Sequence, residues 1–157
     1  MMEDRQRASA GPNEKIQITP PAQEANTYDR AMVECETGNW EKVITDCSRA
    51  IAINPRFADA YSVRGHAKSM KKDLNGAIGD YSEAIAINPQ FATAYCYRGN
   101  AKAANGDLDG AIADYTRAIE IDPRCSDAYL YRIVARTQKG DEAGATADEN
   151  KLIEIAK

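Results

Sequence analysis

Four prolines recur at a constant spacing of 34 residues: Pro21, Pro55, Pro89 and Pro123. The next place in that series is Lys157, the last residue of the sequence. A period of this length matches two short antiparallel helices and their turns. Such a unit cannot bury its apolar face alone, so neighbouring units must stack into an array. The spacing therefore predicts an all-α repeat architecture from residue 21 onward.

The two middle units show what is repeated. One reads Ala58-Asp-Ala-Tyr-Ser-Val-Arg-Gly-His-Ala-Lys68, then Asp73-Leu-Asn-Gly-Ala-Ile-Gly-Asp-Tyr81, then Ala84-Ile-Ala-Ile-Asn-Pro89. The other reads Ala92-Thr-Ala-Tyr-Cys-Tyr-Arg-Gly-Asn-Ala-Lys102, then Asp107-Leu-Asp-Gly-Ala-Ile-Ala-Asp-Tyr115, then Ala118-Ile-Glu-Ile-Asp-Pro123. Each gives a first helix, a turn, a second helix and an exit marked by proline. Ile78, Tyr81 and Ile85 fall at i, i+3 and i+7, one face of a helix. Gly106-Asp107 is a turn signal between helices. Its counterpart is Lys72-Asp73, so a left-handed residue there would be a lysine, at a cost on the order of 1 kcal/mol.

This pattern resembles the tetratricopeptide repeat family. The resemblance rests on an aromatic at repeat position 4 (Tyr61, Tyr95, Tyr129) and small residues at position 8 (Ala31, Gly65, Gly99). Small residues also stand at position 20 (Ala77, Ala111, Ala145) and position 27 (Ala50, Ala84, Ala118). Position 24 is aromatic in Tyr81 and Tyr115, and position 32 is proline. The implied fold is a right-handed α-solenoid of about four helix-turn-helix units, about eight helices in all. The units span about residues 24–57, 58–91, 92–125 and 126–157, within a repeat domain over 21–157. The outer units depart from the pattern. Unit one has Thr27, Val43 and Cys47, with Trp40 at the start of its second helix, and unit four has Ile133, Glu149 and Leu152. Terminal repeats have an unstacked face, where atypical residues are expected. Leu152, Ile153 and Ile155 are expected to be partly exposed, which leaves an end-to-end contact open.

Two positions do not vary across the four units. Arginine stands at position 7 (Arg30, Arg64, Arg98, Arg132) and aspartate at position 23 (Asp46, Asp80, Asp114, Asp148). The resemblance implies a structural ion pair joining the two helices of each unit. A ladder of arginines for phosphates is the less favoured reading, because an acid accompanies each one.

The family presents a concave groove built from first helices. By resemblance the groove here takes Tyr28, Met32 and Glu36 from unit one, and Asp59, Ser62, His66 and Met70 from unit two. Units three and four supply Cys96, Tyr97 and Asn100, then Asp127, Leu130, Tyr131 and Gln138. Tyr97 and Tyr131 are the aromatics expected to face it, whereas Tyr61, Tyr95 and Tyr129 are expected in the core. His66 reads first as a solvent-facing polar group, and Met70 as groove or core filler. Aromatics and methionine suit peptide recognition, and acids favour a neutral or basic ligand. Family members that grip the C-terminal carboxylates of chaperones use a clamp containing lysine and arginine. In one frame this chain offers Tyr28, Met32, Val63, Thr93 and Tyr97, in the next Ser62, His66, Tyr97, Asp127 and Tyr131. Neither frame holds a cation, so that clamp is disfavoured.

Net charge is −4, which disfavours nucleic acid as a partner. No stretch approaches a membrane span, and residues 1–23 lack the apolar core of a signal peptide. The expected location is cytoplasmic. Residues 1–20 read as a disordered tail. Cys35, Cys47, Cys96 and Cys125 occupy four different repeat positions without metal-ligand spacing, and are expected to be reduced thiols. The sequence shows no catalytic triad, phosphate loop or metal cluster, so neither catalysis nor a metal or cofactor is expected. The reading is a non-catalytic adaptor that binds a peptide segment of a partner protein. The alternative is self-assembly into a homodimer or longer oligomer through the end faces.

Overall fold

The computed structural model describes residues 20–157, so the tail expected over residues 1–20 lies outside the described residues except for residue 20 itself. Eight helices follow one another without a strand among the described residues. They are α1 (Pro20–Thr37), α2 (Trp40–Ile53), α3 (Ala58–Met70), α4 (Leu74–Ile87), α5 (Ala92–Ala104), α6 (Leu108–Ile121), α7 (Ser126–Gln138) and α8 (Glu142–Ile155). Consecutive helices pack as α1·α2, α3·α4, α5·α6 and α7·α8, and each pair packs on the next. The first helices α1, α3, α5 and α7 also touch in succession, whereas the second helices do not touch one another. The first helices therefore lie on the inner, more crowded side of the array.

The boundaries follow from local chemistry that repeats with the sequence. Asn39, Asp73, Asp107 and Asp141 cap the second helices, each accepting a hydrogen bond from the backbone N–H three residues on, at 2.9–3.4 Å. Such a cap stabilises a helix by about 1 kcal/mol. Second helices α2, α4 and α6 end at Asn54, Asn88 and Asp122, whose side chains accept from the N–H two residues on at 3.0–3.1 Å. This turn, with Pro55, Pro89 or Pro123 inside it, delivers the chain to the next unit. Pro21 differs: it lies in the first turn of α1, where a missing N–H costs nothing, and α1 begins before the repeat phase starts at Glu24.

Between the helices of each pair one residue is left-handed: Gly38 (φ 72°), Lys72 (φ 69°), Gly106 (φ 87°) and Gly140 (φ 78°). Lys72 bears the steric cost that its three glycine counterparts avoid. Replacing it, Lys72→Gly, is expected to add about 1 kcal/mol of stability, read as a thermal midpoint about 2–4 °C higher.

The core is a row of small clusters. Gly65 and Gly99 leave room for tyrosine rings of the same unit. A Cβ at Gly65 would lie 3.1 Å from Tyr81, and one at Gly99 only 2.6 Å from Tyr115. Alanines at repeat positions 3 and 10 let successive units approach. Ala60, Ala94, Ala128 and Ala67 are fully buried, and Ala101 and Ala135 nearly so. Of the three position-4 tyrosines, Tyr129 is buried, while Tyr61 and Tyr95 are half-buried against Ala84, Ile85 and Ala94.

Each arginine at position 7 meets the aspartate at position 23. Arg64 Nε and Nη2 donate to the two oxygens of Asp80 at 2.9 and 2.7 Å, and Arg98 grips Asp114 with the same distances. Arg132 does so to Asp148 at 2.9 and 2.6 Å, and Arg30 to Asp46 at 2.7 and 2.6 Å. The aspartates are buried. A second cation completes each of them: Lys68 on Asp80 and Lys102 on Asp114 at 2.8 Å, Arg136 on Asp148 at 2.9 Å, and the more exposed Arg49 on Asp46 at 3.4 Å. The remaining nitrogen, Nη1, reaches into the preceding unit. Arg64 donates to Ser48 (3.1 Å), Arg98 to Ser82 (3.1 Å) and Arg132 to Thr116 (2.9 Å). Each guanidinium also lies 5.4–5.6 Å from the centre of the position-4 tyrosine ring of its own unit. Among the described residues no unit precedes that of Arg30, and its side chain is 45% exposed against 18% for Arg64 and Arg98. Its hydrogen bonds still hold the Asp46 carboxyl below the usual range, against the opposing effect of burial.

Candidate functional site

The inner face is set by one stripe on each first helix, spaced i, i+4, i+7 and i+11, which aligns side chains along a single helix side. On α1 it reads Ala25, Asp29, Met32, Glu36, and on α3 Asp59, Val63, His66, Met70. On α5 it reads Thr93, Tyr97, Asn100, Ala104, and on α7 Asp127, Tyr131, Val134, Gln138. Two concavities open among these stripes. One, of about 210 Å³, is lined by Met32, Cys35, Ser62, Val63, His66 and Tyr97. The other, of about 300 Å³, lies between α5 and α7, with Asn100, Ala103, Ala104, Tyr115, Tyr131, Val134, Ala135 and Gln138 around it.

Exposed apolar groups concentrate here. Met32, Met70, Tyr97, Tyr131 and Val134, all on the stripes, are each 37–55% exposed. Tyr97 and Tyr131 stand in tilted contact with the buried Tyr81 and Tyr115, at 5.9 Å between ring centres in both cases. The core rings thus support the groove rings, and the same geometry recurs one repeat along.

Five of the residues assigned to the groove are buried or half-buried rather than open to it. Cys96 is only 4% exposed, buried with Ala118 and Ala128 where α5 meets the next unit. Ser62 is 7% exposed and forms floor rather than contact surface. Both stand at repeat position 5, which points between units once the next first helix is in place. Asn100 is half-buried, and its side-chain oxygen accepts from Tyr115 Oη at 2.7 Å. His66 is half-buried rather than solvent-facing, because Trp40 packs edge-on against it at 5.6 Å and Tyr97 covers it at 5.8 Å. Tyr28 is half-buried against Phe57 at 4.8 Å. Burial and then Asp59 push its phenol up to about 12.

Burial lowers the His66 pKa below 6.5. Below about pH 6.5 the unfolded imidazole therefore takes up a proton before the folded one does, and the fold loses stability. Above that pH both forms are neutral and the contribution is flat. Urea unfolding at pH 7.5 and 5.5 should show a smaller loss on acidification in His66→Gln than in the native chain.

The position-25 hydroxyls of Ser48, Ser82 and Thr116 accept from the arginine of the next unit. Their recurrence is visible in the sequence, but their role needs the stacking geometry. The four cysteines are free thiols that fall beside one another in two pairs, Cys35 near Cys47 and Cys125 near Cys96. Burial pushes the Cys47 and Cys96 thiols up, Cys47 to about 12, which makes them poor nucleophiles. Among the described residues no group of acids, cysteines and histidine is placed to hold a metal ion, and no helix is long and apolar enough to cross a membrane.

One helix hairpin repeated four times, with an apolar inner face, defines an α-solenoid. Two family models match within it, one described as tetratricopeptide repeat over residues 92–125 and one as TPR repeat over residues 70–106. Solved structures agree over most of the chain. A crystal structure of MamA superposes with a TM-score of 0.82 at 26% identity, covering 87% of this chain and 80% of that one. MamA from Desulfovibrio magneticus RS-1, residues 41 to the end, gives 0.78 at 18% identity, with 89% and 77% covered. The first TPR of Spaghetti (RPAP3), bound to an HSP90 peptide, gives 0.75 at 21% identity, with 80% and 98% covered. No curated protein matches the chain. The chain is a tetratricopeptide repeat protein of about four units.

Proposed function

We propose that this chain is a non-catalytic interaction module that binds a peptide segment of a partner protein along its inner face. The observation that carries this is the pair of apolar concavities, with Tyr97 and Tyr131 exposed 37% and 38% and backed by buried tyrosines. Rings held in place and open to solvent offer contact area at small entropic cost.

Self-assembly through the end faces is the second reading. The composition of those faces argues against stacking in the register of the array. Internal interfaces use buried alanine at positions 3 and 10, where unit one has Asn26 and Val33. They use Ile78 and Tyr81, or Ile112 and Tyr115, where α8 has Thr146 and Glu149. A copy added in register would bury Asn26 and Glu149 without partners, at a cost of a few kcal/mol.

Light scattering during size-exclusion chromatography separates the two readings. A mass of 17.2 kDa that does not change with concentration is expected. A mass of twice that value, retained by a Tyr97→Ala/Tyr131→Ala variant, would make self-assembly the function and remove the groove as the explanation.

A further inference from the structure

The inner face segregates charge. All ionised side chains in its four helix stripes are carboxylates, Asp29, Glu36, Asp59 and Asp127, and each is exposed. No lysine or arginine occupies a stripe position. None of the four carboxylates has an ion-pair partner among the described residues, although cations are near in sequence. Those cations are committed elsewhere. Arg64 and Lys68 on α3 are spent on Asp80, Arg98 and Lys102 on α5 on Asp114, and Arg132 and Arg136 on α7 on Asp148. The buried aspartates thus draw six basic groups off the first helices toward the second helices. What remains on the inner face is an apolar floor with unneutralised negative charge at both ends. Asp29 and Asp59 both act on the Tyr28 phenol, which places them together at one end, and Asp127 stands at the other beside Cys96.

We infer that the groove selects a basic, apolar-anchored peptide segment: apolar side chains seated beside Tyr97 and Tyr131, with lysine or arginine reaching the carboxylates. This rests on the groove reading proposed above and adds the charge of the partner. A carboxylate-bearing ligand meets four like charges and no cation, which costs affinity and slows encounter, whereas a basic segment gains on both counts. Because the acids are exposed, the gain is screened as salt rises.

The test uses the full chain as bait for a phage-displayed library of random dodecapeptides, with the Tyr97→Ala/Tyr131→Ala variant as counter-selection. Enriched sequences are expected to carry at least two apolar residues and a net positive charge. A synthetic copy of an enriched sequence, followed by fluorescence anisotropy, should lose about tenfold in affinity to Asp59→Asn/Asp127→Asn. It should also lose affinity on going from 50 to 300 mM salt. Enriched peptides that are apolar but neutral or acidic would overturn the charge inference and leave the groove reading standing. The same holds for basic peptides whose affinity ignores the two aspartate substitutions. Basic peptides without apolar residues, bound equally by the tyrosine variant, would show non-specific charge attraction and overturn the inference. A library that yields nothing dependent on Tyr97 and Tyr131 would remove the groove reading itself.

Discussion

Asp114→Ala is expected to lower stability by about 3–5 kcal/mol, enough to shift the thermal midpoint by about 10 °C. The carboxylate is 4% exposed, and its two oxygens hold Arg98 Nε, Arg98 Nη2 and Lys102 Nζ. Removing it leaves two cations in a site where their side chains are only 18% and 21% exposed. Arg98 also ties unit three to unit two through Ser82, so its displacement loosens an interface as well as a hairpin. Asp46→Ala supplies the control. Its partners Arg30 and Arg49 are 45% and 63% exposed and can take water instead. The loss there should be about 1 kcal/mol or less. Circular dichroism melts of both variants check the contrast. Equal losses would mean that the pairs act only within each hairpin and that the burial of the partner cations does not matter.

That contrast was half legible in the sequence. The invariance of arginine at position 7 and aspartate at position 23 within one chain identifies the pair without any structure. What the repeat cannot reveal is how each pair is finished. The third arginine nitrogen finds Ser48, Ser82 or Thr116 only because the next unit stacks at a particular height, and among the described residues no unit stacks ahead of unit one to offer Arg30 that contact. Position 5 shows the same limit. Tyr28, Ser62, Cys96 and Leu130 are equivalent in phase, yet Cys96 is buried and Leu130 is 49% exposed. The reason is that α7 covers the side of α5, whereas among the described residues no further first helix covers α7. The sequence marks His66 as a solvent-facing polar group, as a lone histidine on a first helix most often is. Its burial comes from Trp40, a residue of unit one that departs from the repeat. Periodicity therefore predicts what units share, and the ends and departures decide which groups reach solvent.

Tyr115→Ala should cost about 3–5 kcal/mol, the usual range for deleting a buried aromatic, while Tyr115→Phe should cost about 1 kcal/mol for the lost bond to Asn100. The larger loss has a specific partner. The Tyr115 ring fills the space that Gly99 leaves by having no side chain, so close that a Cβ would sit 2.6 Å from Cε1. Gly99→Ala in the native background must push that ring aside and should cost about 1–3 kcal/mol. In the Tyr115→Ala background the obstruction is gone, and alanine is favoured over glycine in a helix interior by about 1 kcal/mol. Gly99→Ala should then stabilise. The sign reversal is the signature of direct coupling between the two positions, and urea unfolding of the four proteins in that cycle measures it. Gly65→Ala tests the same contact at lower strain: its Cβ would lie 3.1 Å from Tyr81, close enough to require a shift of a few tenths of an ångström. Helix propensity and crowding there nearly offset, so Gly65→Ala should fall within about 1 kcal/mol of the native chain. If Gly99→Ala were equally mild, the aromatic at position 24 would not set the spacing between the helices of the hairpin, and the support it gives to Tyr131 in the groove would have to come from elsewhere.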